Sequence, residues 1–485
     1  MIKINKNKNI LKELQRLHYD VEALCNGKGI CGKCLIRVSC YLEPTEIEVN
    51  RLLKQQLDDN IRLACQHSKL EQDVYVEIMS KSFNIEGIDD YWINTTFTTT
   101  DYSLAIDVGT TTVVFVLIEN KKGVIIDQKK FINPQRRFGA DVLTRIEHTL
   151  KTKNKDNHHA IKELIQQYLQ AIDNTIDHST LKIGITGNTT MIHLLCDVDV
   201  SSLVKIPYHT TIDKEIIAPI SSIFDVSVQG YCHIYKPFSA YIGSDILAGL
   251  VWCCMLDHQE TAMLIDLGTN GEIVLVHQNK VYFTSTAAGP AFEGVHMSSG
   301  VGSISGAIDH IGIEKGNVVM STIDSKEAIG ICGSGYVDAM ACLLLKGMDI
   351  SGYLDKNWDV TPSIRVTIQD VRQFQLAKAA IRSGMDMLCF HVGIDYNSVS
   401  TLYIAGGFGK HLNINNAVKI GLIPKTCESK AIAVGNSSLL GCIMWVTNQL
   451  QPFSIEQEKA FELIELATHD KWKELFTEHL FFIES

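Results

Sequence analysis

Residues 104–112 read Leu-Ala-Ile-Asp-Val-Gly-Thr-Thr-Thr, an apolar run that ends in the sequence Asp-x-Gly-Thr. Residues 264–272, Leu-Ile-Asp-Leu-Gly-Thr-Asn-Gly-Glu, repeat this pattern, and in each copy a second apolar run follows (113–118 and 273–276). A short apolar run that is bounded by glycine favours a buried strand. The repetition predicts two related lobes that face each other across a cleft, with one such turn contributed by each lobe.

Each of these turns has the residue types of a phosphate-binding loop. Glycine lets the backbone approach phosphate oxygens closely, and the following N–H and hydroxyl groups supply hydrogen-bond donors. Asp107 and Asp266 are anions, so we interpret them as ligands of Mg²⁺ or of the attacking water rather than of phosphate itself. A single turn of this kind would be unremarkable, but two at matching places favour phosphate binding. The predicted phosphate-binding residues are Gly109, Thr110, Thr111, Gly268, Thr269 and Asn270.

Two further strand–turn–helix patterns are rich in glycine. Residues 401–409 read Thr-Leu-Tyr-Ile-Ala-Gly-Gly-Phe-Gly, which makes Gly406, Gly407 and Gly409 candidates for contact with the nucleotide's sugar or phosphates. Residues 329–336 have the same form, with Gly333 and Gly335 at the turn. For this earlier pattern, tight packing between a helix and a sheet is an equally good explanation.

The first 65 residues contain a cluster of cysteines. Cys25, Cys31 and Cys34 form a C-x5-C-x2-C pattern with three glycines between its ends, and Cys65 follows after thirty further residues. Structural zinc sites usually use two short ligand pairs, whereas three ligands in one loop and one distant ligand are typical of a 2Fe–2S ferredoxin. We therefore predict a 2Fe–2S cluster held by these four residues. Cys40 is interpreted as a partly buried strand residue and not as a fifth ligand.

Composition and charge narrow the class of protein. The formal net charge of −11 argues against nucleic acid or an anionic membrane as the main partner, because both are negatively charged and bind proteins with an excess of Lys and Arg. Residues 1–20 carry charges throughout and leave no apolar core for a signal peptide, and the most apolar stretch, residues 246–256, is about half of a membrane span. These features predict a cytoplasmic protein, and they leave a homodimer open.

The motifs in this order resemble the phosphate-one, phosphate-two and adenosine motifs of the actin, sugar-kinase and Hsp70 superfamily. With the N-terminal cysteines, nearly the whole chain resembles the ATP-dependent reductive activators of corrinoid proteins. The narrower resemblance also rests on six short stretches: residues 133–135, 139–142, 186–191, 288–294, 330–335 and 434–436. It implies ATP, Mg²⁺ and a 2Fe–2S cluster as cofactors. It also implies one-electron reduction of Co(II) to Co(I) in a corrinoid protein of a methyltransferase system, with an external low-potential electron donor.

The resemblance implies a fold class and a set of domain boundaries. Residues 1–80 are expected to form an α+β ferredoxin domain of the β-grasp type. Residues 81–100 show no sustained periodicity and are rich in Thr and Asn, so we interpret them as a short linker. A two-lobed α/β, actin-like (ribonuclease-H-like) ATPase domain follows, with the first lobe at 101–205 and the second at 206–485. Few residues precede the first helical pattern, so the edge of the ferredoxin sheet is expected to be short.

Two other functions remain open on the sequence alone, since a fold does not settle a function. A small-molecule kinase would need a general base, for which Asp141 and Glu272 are candidates. A redox sensor would use the cluster to gate nucleotide binding. A kinase has little use for a low-potential cluster, and a sensor would not sustain turnover of electrons.

Overall fold

The computed structural model describes most of the chain: residues 2–17, 21, 34–52, 57–78, 100–176, 180–256, 260–407, 411–448, 455–458, 460–466 and 469–483. The predicted linker, the loop that carries Cys25 and Cys31, and Gly409 therefore lie outside the described residues.

The N-terminal domain contains a four-stranded sheet with the strand order β1-β4-β2-β3. Its elements are β1 (Ile2–Ile4), α1 (Ile10–Arg16), β2 (Leu35–Val38), α2 (Glu46–Arg51), β3 (Ile61–Leu63) and β4 (Val74–Ile78). Alternate residues of β4 are buried, and Val74 and Val76 share one apolar core with Ile4 and Leu14. The predicted α+β class is confirmed, and in the described residues a single short strand precedes α1.

The first half of the large domain forms a six-stranded sheet with the order β7-β6-β5-β8-β10-β9. Its strands are β5 (Tyr102–Val108), β6 (Thr112–Glu119), β7 (Val124–Ile132), β8 (Leu181–Gly187), β9 (Ile216–Pro219) and β10 (Gly230–Ile234). Its helices are α3 (Val142–Thr152), α4 (Asp156–Ile176), α5 (Thr189–Leu195) and α6 (Ile220–Phe224). Ile161, Ile165 and Leu169 recur at helical spacing on α4 and pack in one core with the sheet residues Ile106 and Ile183.

The lobe boundary that we placed between residues 205 and 206 is wrong for this sheet. β10 pairs in parallel with β8, and β9 pairs antiparallel with β10, so the first sheet extends to Ile234. These two strands are short and follow an irregular stretch, and their membership depends on pairing with a distant strand.

The second half contains a six-stranded sheet with the order β20-β19-β11-β12-β13-β21. Its strands are β11 (Ala262–Leu267), β12 (Gly271–His277), β13 (Lys280–Thr286), β19 (Thr401–Ala405), β20 (Ala431–Gly435) and β21 (Phe461–Leu463). β11 pairs antiparallel with β12 and in parallel with β19, as β5 pairs with β6 and with β8. The predicted repeat of two α/β lobes is thereby confirmed.

Smaller elements complete the second half. They are β14 (Ala307–Glu314), β15 (Asn317–Thr322), β16 (Gly330–Ile331), β17 (Trp358–Asp359), β18 (Arg365–Val366), α7 (Ser244–Trp252), α8 (Gly333–Leu345), α9 (Ile368–Val392), α10 (Ile414–Lys419), α11 (Ser437–Val446), α12 (Ile455–Glu458) and α13 (Asp470–Glu478). In the part of the chain described here, no helix has both the length and the apolar character that a bilayer span requires.

α7 and α11 pack against each other between the two large sheets. Their core includes Val116 from the first sheet, Leu250 from α7, Leu264 from the second sheet and Ile443 from α11. A Cβ atom built on Gly441 would lie 1.9 Å from the carbonyl oxygen of Ala248, so the two helix backbones approach too closely for any side chain there. This helix pair joins the two lobes.

We expect Gly441→Ala to destabilise the protein, because the added methyl group forces α7 and α11 apart. Overpacking of this kind costs about 1–3 kcal/mol. Gly302→Ala is the matched control, since a Cβ atom there meets nothing within 4 Å. Thermal unfolding of both variants checks the prediction, and an equal melting temperature for the two would contradict it.

Candidate functional site

A cleft between the lobes collects most of the predicted nucleotide-binding residues. It has a volume of about 1470 Å³, including the part that opens to solvent. Asp107 ends β5 and Asp266 ends β11, so the duplicated strands carry their turns to the same place. The predicted residues that line the cleft are Asp107, Gly109, Thr110, Thr111, Asp266, Gly268, Thr269, Asn270, Gly406 and Gly407.

The first turn is held by side chains from later segments. Asn133 Nδ2 donates to the carbonyl oxygen of Gly109 (2.7 Å), and Asn188 Nδ2 donates to Thr110 Oγ1 (2.9 Å). The buried guanidinium of Arg145 donates through Nη2 to the carbonyl oxygen of Thr110 (2.6 Å). The turn is therefore fixed before any ligand arrives, which reduces the entropic cost of binding.

The second turn lies against the late glycine pair. Gly406 has φ +114°, and a Cβ atom there would lie 2.7 Å from the carbonyl oxygen of Leu267, directly before Gly268. Only glycine fits this conformation and this distance. The turn at 406–407 and the second Asp-x-Gly-Thr turn therefore form one continuous wall of the cleft.

Five carboxylates line this cleft: Asp107, Asp245, Asp266, Glu272 and Glu293. Burial, reinforced by the charges of Asp107 and Glu293, raises the pKa of Asp266 to about 7. Burial and the charges of Asp266 and Asp107 raise the pKa of Asp245 to about 8. Such a concentration of oxygen ligands is suited to a hard divalent cation such as Mg²⁺.

Cationic side chains lie at the same cleft. Lys130 and Arg136 line it, and Arg145 lies behind the first turn, where burial and the nearby Arg136 charge lower its pKa to about 9. The cleft thus offers carboxylates for a metal ion and cations for phosphate oxygens, which matches the charge pattern of a metal–nucleotide complex.

Several lining residues were absent from our sequence prediction. They are Lys130, Arg136, Asn188, Asp245, Glu293, Asn436 and Ser438. Asn188, Glu293 and Asn436 fall within short stretches that support the family resemblance, so a signal for them existed. Asp245 has no such signal, because its position follows from the packing of α7.

Two other candidates lie elsewhere. Gly333 and Gly335 are buried at the start of α8, and a Cβ atom on Gly335 would lie 2.3 Å from the carbonyl oxygen of Ile308. Gly335 therefore serves helix–sheet packing, and neither glycine is among the residues that line the cleft, so their prediction as nucleotide ligands receives no support. Asp141, a candidate base for a kinase, caps α3 by accepting from the backbone N–H of Thr144 (2.8 Å).

The N-terminal sheet brings two of the predicted cluster ligands together. Leu35 on β2 pairs with Leu63 on β3, and the N–H of Ala64 donates to the carbonyl oxygen of Cys34 (2.9 Å). Cys34 and Cys65 therefore lie at the same end of this strand pair, although thirty residues separate them in sequence. Cys40 follows the opposite end of β2, away from both. This arrangement fits a cluster shared by Cys34 and Cys65 and places Cys40 at the other end of β2.

Glu48 fixes the segment that carries Cys65. Its buried carboxylate accepts from the backbone N–H of Leu63 (2.6 Å), and Nε2 of His67 lies 3.0 Å from the same oxygen. Gln66 Nε2 donates to Cys65 Sγ (3.2 Å). Hydrogen bonds to sulfur stabilise thiolate charge and tune a cluster's potential.

The fold and the site together define a two-lobed, actin-like nucleotide-binding protein that carries an N-terminal iron–sulfur domain. Three family models match the chain. They are the 2Fe-2S iron-sulfur cluster binding domain at residues 1–68, the RACo middle region at 102–258, and the C-terminal domain of RACo, the ASKHA domain, at 260–485. The chain belongs to this RACo-type family of ATP-dependent reductive activators of corrinoid proteins.

Individual relatives span most of the chain. Corrinoid activation enzyme RamQ of Eubacterium limosum is 29% identical over 420 residues, which cover 79% of this chain and 70% of the relative. The Co(II) methylated amine-specific corrinoid protein reductase of Methanosarcina barkeri is 25% identical over 387 residues (72% and 68%). The solved structure of a reductive activator for corrinoid, iron-sulfur protein has a TM-score of 0.69 at 23% identity, covering 100% of this chain and 99% of that one. This likeness confirms the fold.

We expect Asp266→Asn to stabilise the nucleotide-free protein above pH 7. The folded pKa of about 7 exceeds the unfolded value of about 3.9, so the ionised carboxylate lowers stability as the pH rises between these values. One pKa unit is worth about 1.4 kcal/mol, so the gain above pH 7 should exceed about 1 kcal/mol and vanish below pH 4.

Thermal unfolding across this pH range measures the effect. Asp141→Asn is the control, because asparagine caps a helix as well as aspartate does. A stability gain for Asp266→Asn that is independent of pH would contradict the explanation.

We expect Cys34→Ser and Cys65→Ser to lose or strongly perturb the visible absorption of the cluster, whereas Cys40→Ser should retain it. The reason is that Cys34 and Cys65 meet at one end of the β2–β3 pair. Iron and labile-sulfide analysis gives the stoichiometry, with two of each expected per chain. Loss of the cluster in Cys40→Ser, with retention in Cys65→Ser, would reverse the assignment.

Proposed function

We propose that this protein reactivates a corrinoid protein, passing one electron to Co(II) to give Co(I) in a step that depends on ATP. The observation that carries the proposal is that one chain contains two features. Cys34 and Cys65 lie together at the end of a ferredoxin-type sheet, and a cleft lined by charged residues lies between two actin-like lobes. The names of the relatives in Eubacterium limosum and Methanosarcina barkeri, a corrinoid activation enzyme and a corrinoid protein reductase, support it.

At the ferredoxin end, Cys34 and Cys65, with Cys25 and Cys31 from the preceding loop, are proposed to hold the cluster. A bound 2Fe–2S cluster supplies reversible one-electron transfer at low potential. Cys34 is buried and Cys65 is partly exposed, so the two sulfurs differ in their access to solvent. The Cys65 side, polarised by Gln66, is the side that a redox partner can approach more closely.

In the cleft, Asp107 and Asp266 are proposed to hold Mg²⁺, directly or through water, and to orient the water that attacks ATP. Thr110, Thr111, Thr269 and the neighbouring backbone are proposed to bind the phosphates. Lys130 and Arg136 would offset the negative charge of the triphosphate, since cations at phosphate oxygens stabilise the charge that moves during phosphoryl transfer. Gly406 and Gly407 leave space for the nucleoside.

ATP is needed because the electron moves uphill. Plant-type 2Fe–2S clusters have potentials near about −400 mV, and the Co(I) corrinoid is a stronger reductant still. Each 100 mV of uphill transfer costs about 2.3 kcal/mol per electron. A change in the partner's cobalt ligation or conformation, driven from the ATP cleft, would supply this energy.

A hydrogen bond across the cleft connects the two lobes at the place where the nucleotide is proposed to bind. Thr111 Oγ1 donates to Glu293 Oε2 (2.7 Å), which joins the first turn to the second half of the chain. A triphosphate bound by Thr111 competes for this hydrogen bond. We therefore propose that ATP binding changes how the lobes are arranged, and that the docked corrinoid protein senses this arrangement.

The remaining parts of the proposal concern the surroundings of the protein. We propose an external low-potential electron donor, a cytoplasmic location, and neither nucleic acid nor membrane as a partner, in keeping with the net charge of −11. A homodimer is testable by light scattering. The kinase function loses one of its two candidate bases, because Asp141 caps α3.

We expect Co(I) to form only when ATP and an intact cleft are both present. The assay mixes the cluster-loaded protein with an oxidised corrinoid protein and limiting Ti(III) under anaerobic conditions, and follows the absorbance of Co(I). Asp266→Ala should keep a reducible cluster but leave the cobalt as Co(II). Cys65→Ser should retain much of its corrinoid-stimulated ATP hydrolysis yet form no Co(I).

Asp141→Asn is the matched control and should form Co(I) at the wild-type rate. Equal accumulation of Co(I) with and without ATP would contradict the coupling and reopen the kinase and sensor functions. A single reduction event without turnover would favour the sensor.

A further inference from the structure

A second group of ligating side chains lies outside both the cleft lining and the cysteine site. Asp309 and His310 belong to β14, and His411 follows the Gly406–Gly407 turn in sequence. Each of the three residues offers one ligand atom, and the three atoms lie within 4.8 Å of one another. Asp309 is buried, and the two histidines are partly exposed, so an ion could enter from solvent.

A distortion of β14 permits this arrangement. Successive side chains of a regular strand point to opposite faces of the sheet. Here the register with β15 shifts between Ile308 and His310, which leaves Asp309 as the extra residue of a β-bulge. A bulge redirects a side chain, and bulges are common beside functional sites. It allows the neighbouring Asp309 and His310 to reach the same point.

Neighbouring side chains form hydrogen bonds that orient Asp309 and His310. Nδ1 of His310 lies 3.2 Å from Asp338 Oδ2, which directs the opposite ring nitrogen away from this carboxylate. Asp338 is itself held by Asn416 Nδ2 (2.7 Å), and Ser321 Oγ donates to Asp309 Oδ1 (2.8 Å). Metal-binding histidines almost always donate their second ring N–H to a carboxylate, a backbone carbonyl or water, and Asp338 can serve as this partner for His310.

We propose that Asp309, His310 and His411 bind a divalent transition-metal ion of the zinc class, with water in the fourth position. Two imidazole nitrogens and one carboxylate oxygen are common zinc ligands. His411 Nδ1 lies 3.4 Å from Asp309 Oδ2. Two ligand atoms bonded at about 2.1 Å to a tetrahedral ion lie roughly 3.4 Å apart, so this pair already has the required spacing.

Without an ion, the same side chains would form an ion-pair network. The hydrogen bond and charge of Asp338, together with the charge of Asp309, raise the pKa of His310 despite its partial burial. A network of this type accounts for the pairs His310–Asp338 and His411–Asp309, but it does not require the strand bulge that brings Asp309 and His310 to one point. The convergence of all three residues is the feature that favours a metal ion.

A bound ion would connect the segment after the Gly406–Gly407 turn to β14. Through Asp338, which belongs to α8, it would also brace the small sheet that contains β14. The expected role is structural, because ions that bind only the folded state raise its stability. The site is separate from the proposed ATP and cluster sites, and its failure would leave the proposed function intact.

The test is equilibrium dialysis of the cluster-loaded, full-length protein against Zn²⁺ without nucleotide or Mg²⁺, with zinc and iron measured together by mass spectrometry. The wild type should bind one zinc ion per chain that His411→Ala and His310→Ala do not bind, with iron content unchanged. Zinc at other groups remains in all variants and is subtracted. His391→Ala is the matched control, since His391 pairs with Glu462 and is not one of the proposed ligands, so zinc binding should be unchanged.

Asp338→Asn provides a second measurement with little change in shape. It should weaken zinc binding by about tenfold, the usual result of losing the partner behind a metal-binding histidine. Zn²⁺ should also raise the melting temperature of the wild type and of His391→Ala but not of His411→Ala. Equal zinc content in the wild type and in both histidine variants would overturn the proposal, as would a wild type that binds no zinc.

Discussion

The carboxylate of Asp107 accepts hydrogen bonds from Asn436 Nδ2 (2.8 Å) and Ser438 Oγ (2.7 Å), and the architecture of the cleft depends on this contact. A buried carboxylate is costly unless it is paired or hydrogen-bonded, and burial raises the pKa of this one. Its partners belong to the start of α11, where the helix dipole also favours negative charge. Asn436 caps the same helix by accepting from the N–H of Leu439. The first Asp-x-Gly-Thr turn is thus positioned by the second half of the chain as well as by the first.

The close packing of α7 and α11 links the position of Asp107 to both large sheets. Gly441 lets α11 approach Ala248 of α7, and Gly249 of α7 faces Ser437 in the same manner. α7 in turn contributes Asp245 to the cleft, and Ser244 Oγ accepts from the N–H of Gly187 at the end of β8. A change in the cleft therefore acts on helices that contact both lobes. This is the physical connection that coupling between ATP and a docked partner requires.

How much of the site could be predicted from the sequence depended on whether the signal was local. The duplicated Asp-x-Gly-Thr turns were predictable because a glycine directly after a short apolar run indicates the end of a buried strand. Both features lie in the same few residues of the sequence. The same local pattern at Gly333 and Gly335 left two explanations open, because the close approach of Ile308 to Gly335 depends on the tertiary structure. The lobe boundary failed for the same reason, because β10 joins the first sheet by pairing with the distant strand β8, and β9 joins it by pairing with β10. Asp245 reaches the cleft through helix packing, which no short pattern encodes.

The buried carboxylates of the cleft are a source of electrostatic energy that the binding of a cation would change. Five carboxylates of the described residues share this space, and burial, reinforced by the charges of neighbouring carboxylates, raises the pKa of Asp245 to about 8 and that of Asp266 to about 7. A cation that enters with the nucleotide would relieve this repulsion, at about 1.4 kcal/mol for each pKa unit. Lifting one electron by 100 mV costs about 2.3 kcal/mol. The two energies are of the same order, and Thr111 and Glu293 join the lobes where the relief occurs. Neutralisation of the carboxylates would thus act at the contact through which the two lobes meet.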